Sequence, residues 1–153
     1  MKRVLLLLCL FCAAFSLYGQ NRKTEFSIKA IIDQTTFDLL EVTAGYQIDN
    51  RVFGAGLGFG VERLIGGEKS FKGVYPISVF YRGYTHLGSS SRWSLYGDAA
   101  VGYYLNFGVG GFFVRVQPGL SVVIHGNNSF FFGPSVQYFQ SQRFYGLGMG
   151  ITL

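Results

Sequence analysis

Seven ionisable side chains fall on the same face of a recurring two-residue alternation, so they could pair with one another or relay a proton. They are Glu25, Lys29, Glu41, Glu62, Arg82, Asp98 and Arg115. Four acids and three bases nearly cancel, and a charge held away from water is costly unless a partner neutralises it. We therefore predict one connected network of ion pairs. A path for protons or small ions along the same residues is the functional alternative.

Groups that could perform catalysis or bind a metal are few. His86 and His125 are the two histidines, and both lie next to turn-forming residues. A serine hydrolase needs a nucleophile, a histidine and an acid on one surface, and two separated histidines do not make a metal site. Residues 54–60 contain the spacing of a dinucleotide fingerprint, but apolar residues alternate with the glycines and no helix follows. The sequence therefore predicts no catalytic residue, no metal and no cofactor, and hence no enzyme.

The N-terminal residues have the layout of a secretory signal peptide: two basic residues, an apolar run and small residues. We predict a cleaved signal peptide over residues 1–19 and one domain over residues 20–153, with cleavage near Ser16 as a competing site. Cys9 and Cys12 lie in the removable segment, so the mature domain would hold no disulfide. The apolar run is shorter than the roughly 20 residues of a spanning helix.

The composition indicates a surface that water does not cover. Charged residues make up 14% of the chain and aromatic residues 18%, whereas a soluble domain has about 25% charged residues. The formal net charge of +5 comes from scattered basic residues that form no stripe, so the sequence predicts no nucleic-acid partner.

Eight segments alternate with a period of two, which is typical of strands with two unlike faces. We predict strands at residues 24–32, 37–48, 52–64, 73–84, 92–106, 111–124, 129–140 and 144–153. Most are long for soluble strands and suit a tilted crossing of a bilayer. The pattern predicts an all-β fold, an eight-stranded antiparallel up-and-down transmembrane β-barrel.

The orientation of the two faces decides between a membrane barrel and a soluble one. One face is aliphatic and aromatic, and the other carries glycine, serine, threonine and the charges. Because glycine, serine and threonine dominate the polar face, instead of the lysines and glutamates that solvate a soluble surface, we place it inside and the apolar face in lipid. Phe80, Phe113 and Phe131 then point inward and fill space, and Pro118 and Pro134 predict bulges within strands. A soluble periplasmic lipocalin-like barrel that binds a hydrophobic ligand is the alternative.

The glycine, aromatic and proline pattern resembles that of a known family. It is carried by LEVTAGYQIDNRVFGAGLGFGVER, VYPISVFYRGY, VQPGLSV, FFGPSVQY and YGLGMGITL. These stretches resemble the small outer-membrane β-barrel proteins of Gram-negative bacteria, the OmpA/OmpX-like superfamily. The resemblance implies a place in the bacterial outer membrane, among lipid and lipopolysaccharide, and folding by the barrel-assembly machinery. The last strand ends in Leu153, where the family usually has an aromatic residue.

The loops are the remaining place for specific contacts. With both termini in the periplasm, the outward loops would be residues 33–36, 65–72, 107–110 and 141–143, all of them short. Lys69 and Lys72 in the longest one could contact lipopolysaccharide phosphates. We therefore expect a compact, monomeric barrel with a plugged polar lumen that acts in envelope integrity or surface interaction. The alternatives are binding through the 65–72 loop and, since the family includes lipid-modifying enzymes, an activity of that kind.

Overall fold

The computed structural model of the chain describes residues 24–33, 37–62, 72–89, 92–105 and 110–153, with side chains at all of these except 33, 37, 62 and 72. These residues form eight β-strands. The strands are β1 (Thr24–Asp33), β2 (Phe37–Ile48), β3 (Arg51–Glu62), β4 (Lys72–His86), β5 (Trp93–Leu105), β6 (Gly111–His125), β7 (Asn128–Phe139) and β8 (Gln142–Thr152).

Every strand pairs antiparallel with the next, and β8 pairs with β1 to close the barrel. The prediction of an eight-stranded antiparallel barrel is thus confirmed. Where the structure describes the chain, it contains no helix with the length and apolarity needed to span a bilayer.

The two ends of the barrel differ in their connections. At one end, which we call the termini end, lie the start of β1, the end of β8, and the connections from β2 to β3, β4 to β5 and β6 to β7. At the opposite loop end lie the connections after β1, β3, β5 and β7. Of the predicted loops at 33–36, 65–72 and 107–110, residues 34–36, 65–71 and 107–109 lie outside the described residues. Lys69 is among them, and the side chain of Lys72 is not described either.

The expected loop at residues 141–143 is wrong. Gln140 and Ser141 form a tight two-residue turn, and β8 begins at Gln142. Both turn residues have positive φ, 48° and 65°, which is the backbone twist that joins adjacent antiparallel strands. Ser141 is a common turn residue but Gln140 is not, so the sequence pattern assigned Gln140 to the preceding strand.

The faces are oriented as the alternation predicts. In β5, exposed and buried residues alternate from Trp93 to Ala100. None of the described side chains assigned to the apolar face is buried, and several, such as Val79 at 60% and Leu147 at 59%, are among the most exposed. Phe80, Phe113 and Phe131 are buried inside, as predicted. The outer face of the barrel is therefore apolar, and the interior holds the buried polar and charged side chains together with space-filling apolar residues, the reverse of a soluble barrel.

The prolines interrupt the ladder without shifting it, so the expected bulges are wrong. Between β6 and β7 the same register holds before and after Pro118 and Pro134, and the one shift in this pair lies between Val123 and His125. Gly119 and Gly133 explain the fit. A Cβ on Gly119 would collide with the Phe132 carbonyl oxygen, and one on Gly133 with that of Pro118. The glycines let the two backbones approach where proline removes the hydrogen-bond donors.

This close approach gives a test by substitution of single glycines. Gly133→Ala is expected to lower the free energy of unfolding by about 1–3 kcal/mol, because the new methyl group meets backbone that cannot move aside. Gly97→Ala is the matched control, since a Cβ there meets no atom within 4 Å, and it should change stability by less than about 0.5 kcal/mol. Urea unfolding of the barrel in detergent measures both. Equal losses in the two variants would contradict the packing described here.

Candidate functional site: the charged lumen

Six ionic side chains form one continuous chain of alternating charge inside the barrel. All six are at least 93% buried. In order from the termini end they are Glu25, Arg82, Asp98, Lys29, Glu41 and Arg115. The successive N···O distances are 2.5 Å, 2.8 Å, 3.3 Å, 3.3 Å and 2.5 Å. Three acids balance three bases, so the lumen holds no net charge from this chain of residues.

The structure thus brings together six of the seven residues that the sequence analysis proposed for a network. Of the seventh, Glu62, the structure describes only the backbone, at the loop end of β3. The six side chains come from β1, β2, β4, β5 and β6. Because each pair joins two different strands, the chain of ion pairs ties together most of the barrel wall across its interior.

Arg82 is the most heavily bonded member of the chain. Its guanidinium donates through Nη1 to Glu25 at 2.5 Å and to Ser27 at 3.0 Å. It donates through Nε and Nη2 to the same oxygen of Asp98, at 3.0 and 2.8 Å. The Cζ atom also lies within 6 Å of three ring centroids, those of Phe80, Tyr96 and Phe131. Hydrogen bonds and cation–π contacts together replace the water that this charge has lost.

The loop-end half of the chain centres on Glu41. This carboxylate accepts from Ser78 at 2.8 Å and from Arg115 Nη2 at 2.5 Å, and it also pairs with Lys29. Arg115 Nε and Nη1 have no hydrogen-bond partner, nor have the two amide atoms of buried Gln117. The chain of charges therefore ends in buried polar atoms that ordered water could bridge.

Apolar residues close the lumen on the loop-end side of these charges. They form one buried cluster of Ile31, Leu39, Val74, Tyr104, Phe113, Phe139 and Phe144. Tyr104 stacks on Phe113, with ring centroids 4.4 Å apart, and donates its hydroxyl to Gln137 at 2.7 Å. A smaller cluster of Val52, Phe80 and Ala100 lies on the other side. Space filling was the predicted role of the inward phenylalanines, and their contacts with Arg82 and Arg115 were not predicted.

At the termini end the lumen opens into a polar cavity of about 690 Å³. Its lining includes Glu25, Tyr84, His86 and Ser94. The hydroxyl of Ser94 lies 3.0 Å from Nδ1 of His86, its register partner on β4. This serine and histidine pair was missed from sequence, because the contact depends on the pairing of β4 with β5.

The pair has the distance of a nucleophile and base but not the rest of a catalytic triad. Glu25, the one carboxylate among the described lining residues, accepts hydrogen bonds from Arg82 and from the Tyr84 hydroxyl. In a catalytic triad an acid orients the histidine. Here Glu25 bonds to Arg82 and Tyr84 and not to His86. Among the residues that the structure describes, no cluster of three or more histidine, cysteine, aspartate or glutamate side chains has the arrangement of a metal site.

Comparison with solved structures identifies the fold of the barrel. No family model and no curated protein sequence matches the chain. Solved structures do: Neisserial surface protein A superposes with a TM-score of 0.60 at 13% identity, covering 86% of this chain and 94% of that one. The fold is that of a small outer-membrane barrel. The N-terminal β-barrel domain of Pseudomonas aeruginosa OprF has a TM-score of 0.55 at 14% identity, with 86% and 96% of the two chains covered.

A third structure of this fold is the outer membrane enzyme PagL, with a TM-score of 0.56 at 10% identity over 84% of this chain and 98% of that one. At such identities the likeness shows the fold alone, and it agrees with the resemblance predicted from sequence. The fold is shared with an enzyme, so it does not by itself decide whether this chain has an activity.

Proposed function

We propose that this chain is a non-enzymatic integral protein of the bacterial outer membrane, whose polar lumen is plugged and which acts in envelope integrity or surface interaction. The observation that carries the proposal is the continuous chain of buried ion pairs within a barrel whose outer surface is apolar. The first supports a closed structural barrel, and the second supports its place in lipid.

The outer surface supports the membrane assignment. Aliphatic residues such as Leu57, Val79 and Val101 are at least half exposed in the middle of their strands. Aromatic residues lie nearer the strand ends, for example Tyr46 and Trp93 toward the termini end and Tyr75 and Phe112 toward the loop end. An apolar band flanked by aromatic girdles is the surface of transmembrane barrels. Continuous apolar exposure of this extent in water would cause aggregation.

The address and partners follow from the same proposal. The chain would be exported by a signal peptide over residues 1–19, folded by the barrel-assembly machinery, and would remain a monomer in contact with lipid and lipopolysaccharide. With the termini end in the periplasm, Lys69 and Lys72 would lie on the cell surface, where their charges suit lipopolysaccharide phosphates. Carbonate washing of fractionated cells tests the address, because an integral barrel stays in the membrane pellet and a soluble periplasmic barrel is released. Growth of a deletion strain under envelope stress tests the role.

Conductance tests the plug. The purified barrel in planar bilayers is expected to show no steady open pore, because an eight-stranded interior is filled by side chains and the charges of the six described ion-paired residues cancel. Arg115→Ala should leave the bilayer closed as well, since the apolar cluster at the loop end remains. A steady conductance of the unaltered barrel that disappears in Arg115→Ala would overturn the plug and establish an ion path.

The pair of Ser94 and His86 favours one second candidate, a hydrolase acting at the termini end. A serine hydroxyl within hydrogen-bond reach of an imidazole is the minimum of a nucleophile and its base. Detergent-solubilised barrel is expected to release no acyl chain from lipid A, phospholipid or a chromogenic ester, because no carboxylate of the described residues orients His86. Hydrolysis that is abolished by Ser94→Ala but retained by Ser121→Ala, a second serine of the same cavity, would establish the enzyme instead.

A further inference from the structure

The outer wall of the barrel has a groove that crosses β3, β4, β5 and β6 toward the termini end. It encloses about 930 Å³, within the range of roughly 300–1,000 Å³ for small-molecule sites. Gly83 and Gly97, register partners on β4 and β5, line it together with Pro118, the partner of Gly97 on β6. A Cβ on Gly97 would meet nothing within 4 Å, and one on Gly83 only the Tyr81 hydroxyl at 3.9 Å. The groove exists because outward-facing side chains are missing from this row.

The side of the groove that faces the middle of the barrel is apolar. Phe53 and Tyr81 form one wall, with ring centroids 4.9 Å apart, and Ala99 and Val116 form the next. These residues belong to the outer apolar face, so the groove is continuous with the surface that we place in lipid. An acyl chain from the surrounding bilayer can therefore enter it without crossing polar surface.

The other end of the groove is charged. Asp49 and Arg51, on either side of Asn50 in the turn between β2 and β3, line it and are exposed. A guanidinium suits a phosphate, to which it can donate two parallel hydrogen bonds, and a carboxylate suits an ammonium group. One positive and one negative side chain two residues apart thus complement a head group that carries both charges.

We propose that the groove is a binding site for one phosphatidylethanolamine molecule. Its acyl chain lies over Gly83 and Gly97, its phosphate contacts Arg51 and its ammonium contacts Asp49. The inference rests on the membrane location proposed above and adds to it a lipid of defined head group at a defined place. At the termini end, which the proposal directs to the periplasm, this lipid belongs to the inner leaflet of the outer membrane.

Native mass spectrometry tests the site. The full mature chain is reconstituted with equal amounts of phosphatidylethanolamine and phosphatidylglycerol and is then released from detergent in the spectrometer. The unaltered barrel is expected to retain one phosphatidylethanolamine. Gly97→Leu fills the groove and should lower the retained fraction about tenfold, and Arg51→Gln should do so by a similar factor, as expected for loss of one charge-assisted contact. Asp49→Asn should remove the preference over phosphatidylglycerol. Ala30→Leu adds an apolar side chain to the outer face of β1, half-way round the barrel, and should change nothing.

Three results would overturn the site: no retained lipid, equal retention by Gly97→Leu and the unaltered barrel, or a dimer that Gly97→Leu abolishes, which would make a second copy the occupant. Circular dichroism of each variant verifies that the barrel has folded. Failure of this site is separable from failure of the membrane assignment. A barrel that resists carbonate washing but retains no lipid contradicts only the site, whereas a barrel released by carbonate contradicts both.

Discussion

Replacing Arg82 with methionine is expected to lower the free energy of unfolding by about 3–5 kcal/mol, the cost of removing one member of a buried ion pair. The guanidinium donates to Glu25, Ser27 and Asp98 at once and is fully buried, so a methionine side chain leaves three polar partners without their donor. Glu25 would then lose its one ion-pair partner in the chain, and Asp98 would keep only its pair with Lys29. Chemical unfolding in detergent micelles measures the loss, with the fluorescence of Trp93, the single tryptophan, as the probe.

Two further variants make this prediction specific. Arg143→Met removes an exposed arginine at the start of β8 and should cost less than about 0.5 kcal/mol. Glu25→Gln combined with Arg82→Met removes one charge of each sign, so it should recover part of the stability lost in the single variant. If Arg82→Met loses no more than Arg143→Met, the ion pairs do not hold the barrel together, and the plug proposal loses its main support.

The order of the ion chain predicts that its inner members contribute most to the stability of the barrel. Glu25 and Arg115 each have one charged partner in the chain, whereas Arg82, Asp98, Lys29 and Glu41 each have two. Removing an inner member takes one charged partner from each of two neighbours, and removing a terminal member takes a partner from a single neighbour. Loss of Arg82 or Lys29 is therefore expected to destabilise the barrel more than loss of Arg115. Such gradation distinguishes a connected network from a set of independent pairs.

The alternation of the sequence was sufficient to predict the strands and the contents of the lumen. Residue parity alone places Glu41 and Asp98 inside and Leu57 and Val101 outside, because successive side chains of a strand point to opposite faces. The bounds of β2 agree with the prediction to the residue. What parity does not give is height along the barrel axis, which depends on the stagger between strands. The central position of Lys29, between Glu41 and Asp98, was therefore not predictable.

The features that were predicted wrongly or missed from sequence depend on how neighbouring strands pair. Pro118 and Pro134 were expected to cause bulges, because each lacks a backbone N–H donor. The ladder of hydrogen bonds is interrupted there without a shift of register, since Gly119 and Gly133 allow the two backbones to approach. The contact between His86 and Ser94 required the β4 to β5 register. The lipid groove required three residues on three strands to align, Gly83, Gly97 and Pro118, and no single strand carries that signal.

The substitution Val79→Arg distinguishes a membrane barrel from a soluble barrel. Val79 lies mid-way along β4 and is 60% exposed on the outer face. In a bilayer, Val79→Arg is expected to cost about 2–4 kcal/mol, because the guanidinium would lie near the hydrocarbon midplane. Leu105→Arg, on the same outer face at the loop end of β5, should cost only about 0–1 kcal/mol, because head groups and water are within reach.

Unfolding titrations in lipid vesicles measure both variants, with Val79→Leu as the control for altered shape. The difference between positions 79 and 105 is the informative quantity, since it depends on depth in the bilayer and not on arginine itself. A soluble barrel would show no such gradient, because water would solvate either guanidinium on an exposed surface. Equal and small losses of unfolding free energy at the two positions would therefore contradict the placement of this barrel in lipid. The apolar exterior would then lack its explanation.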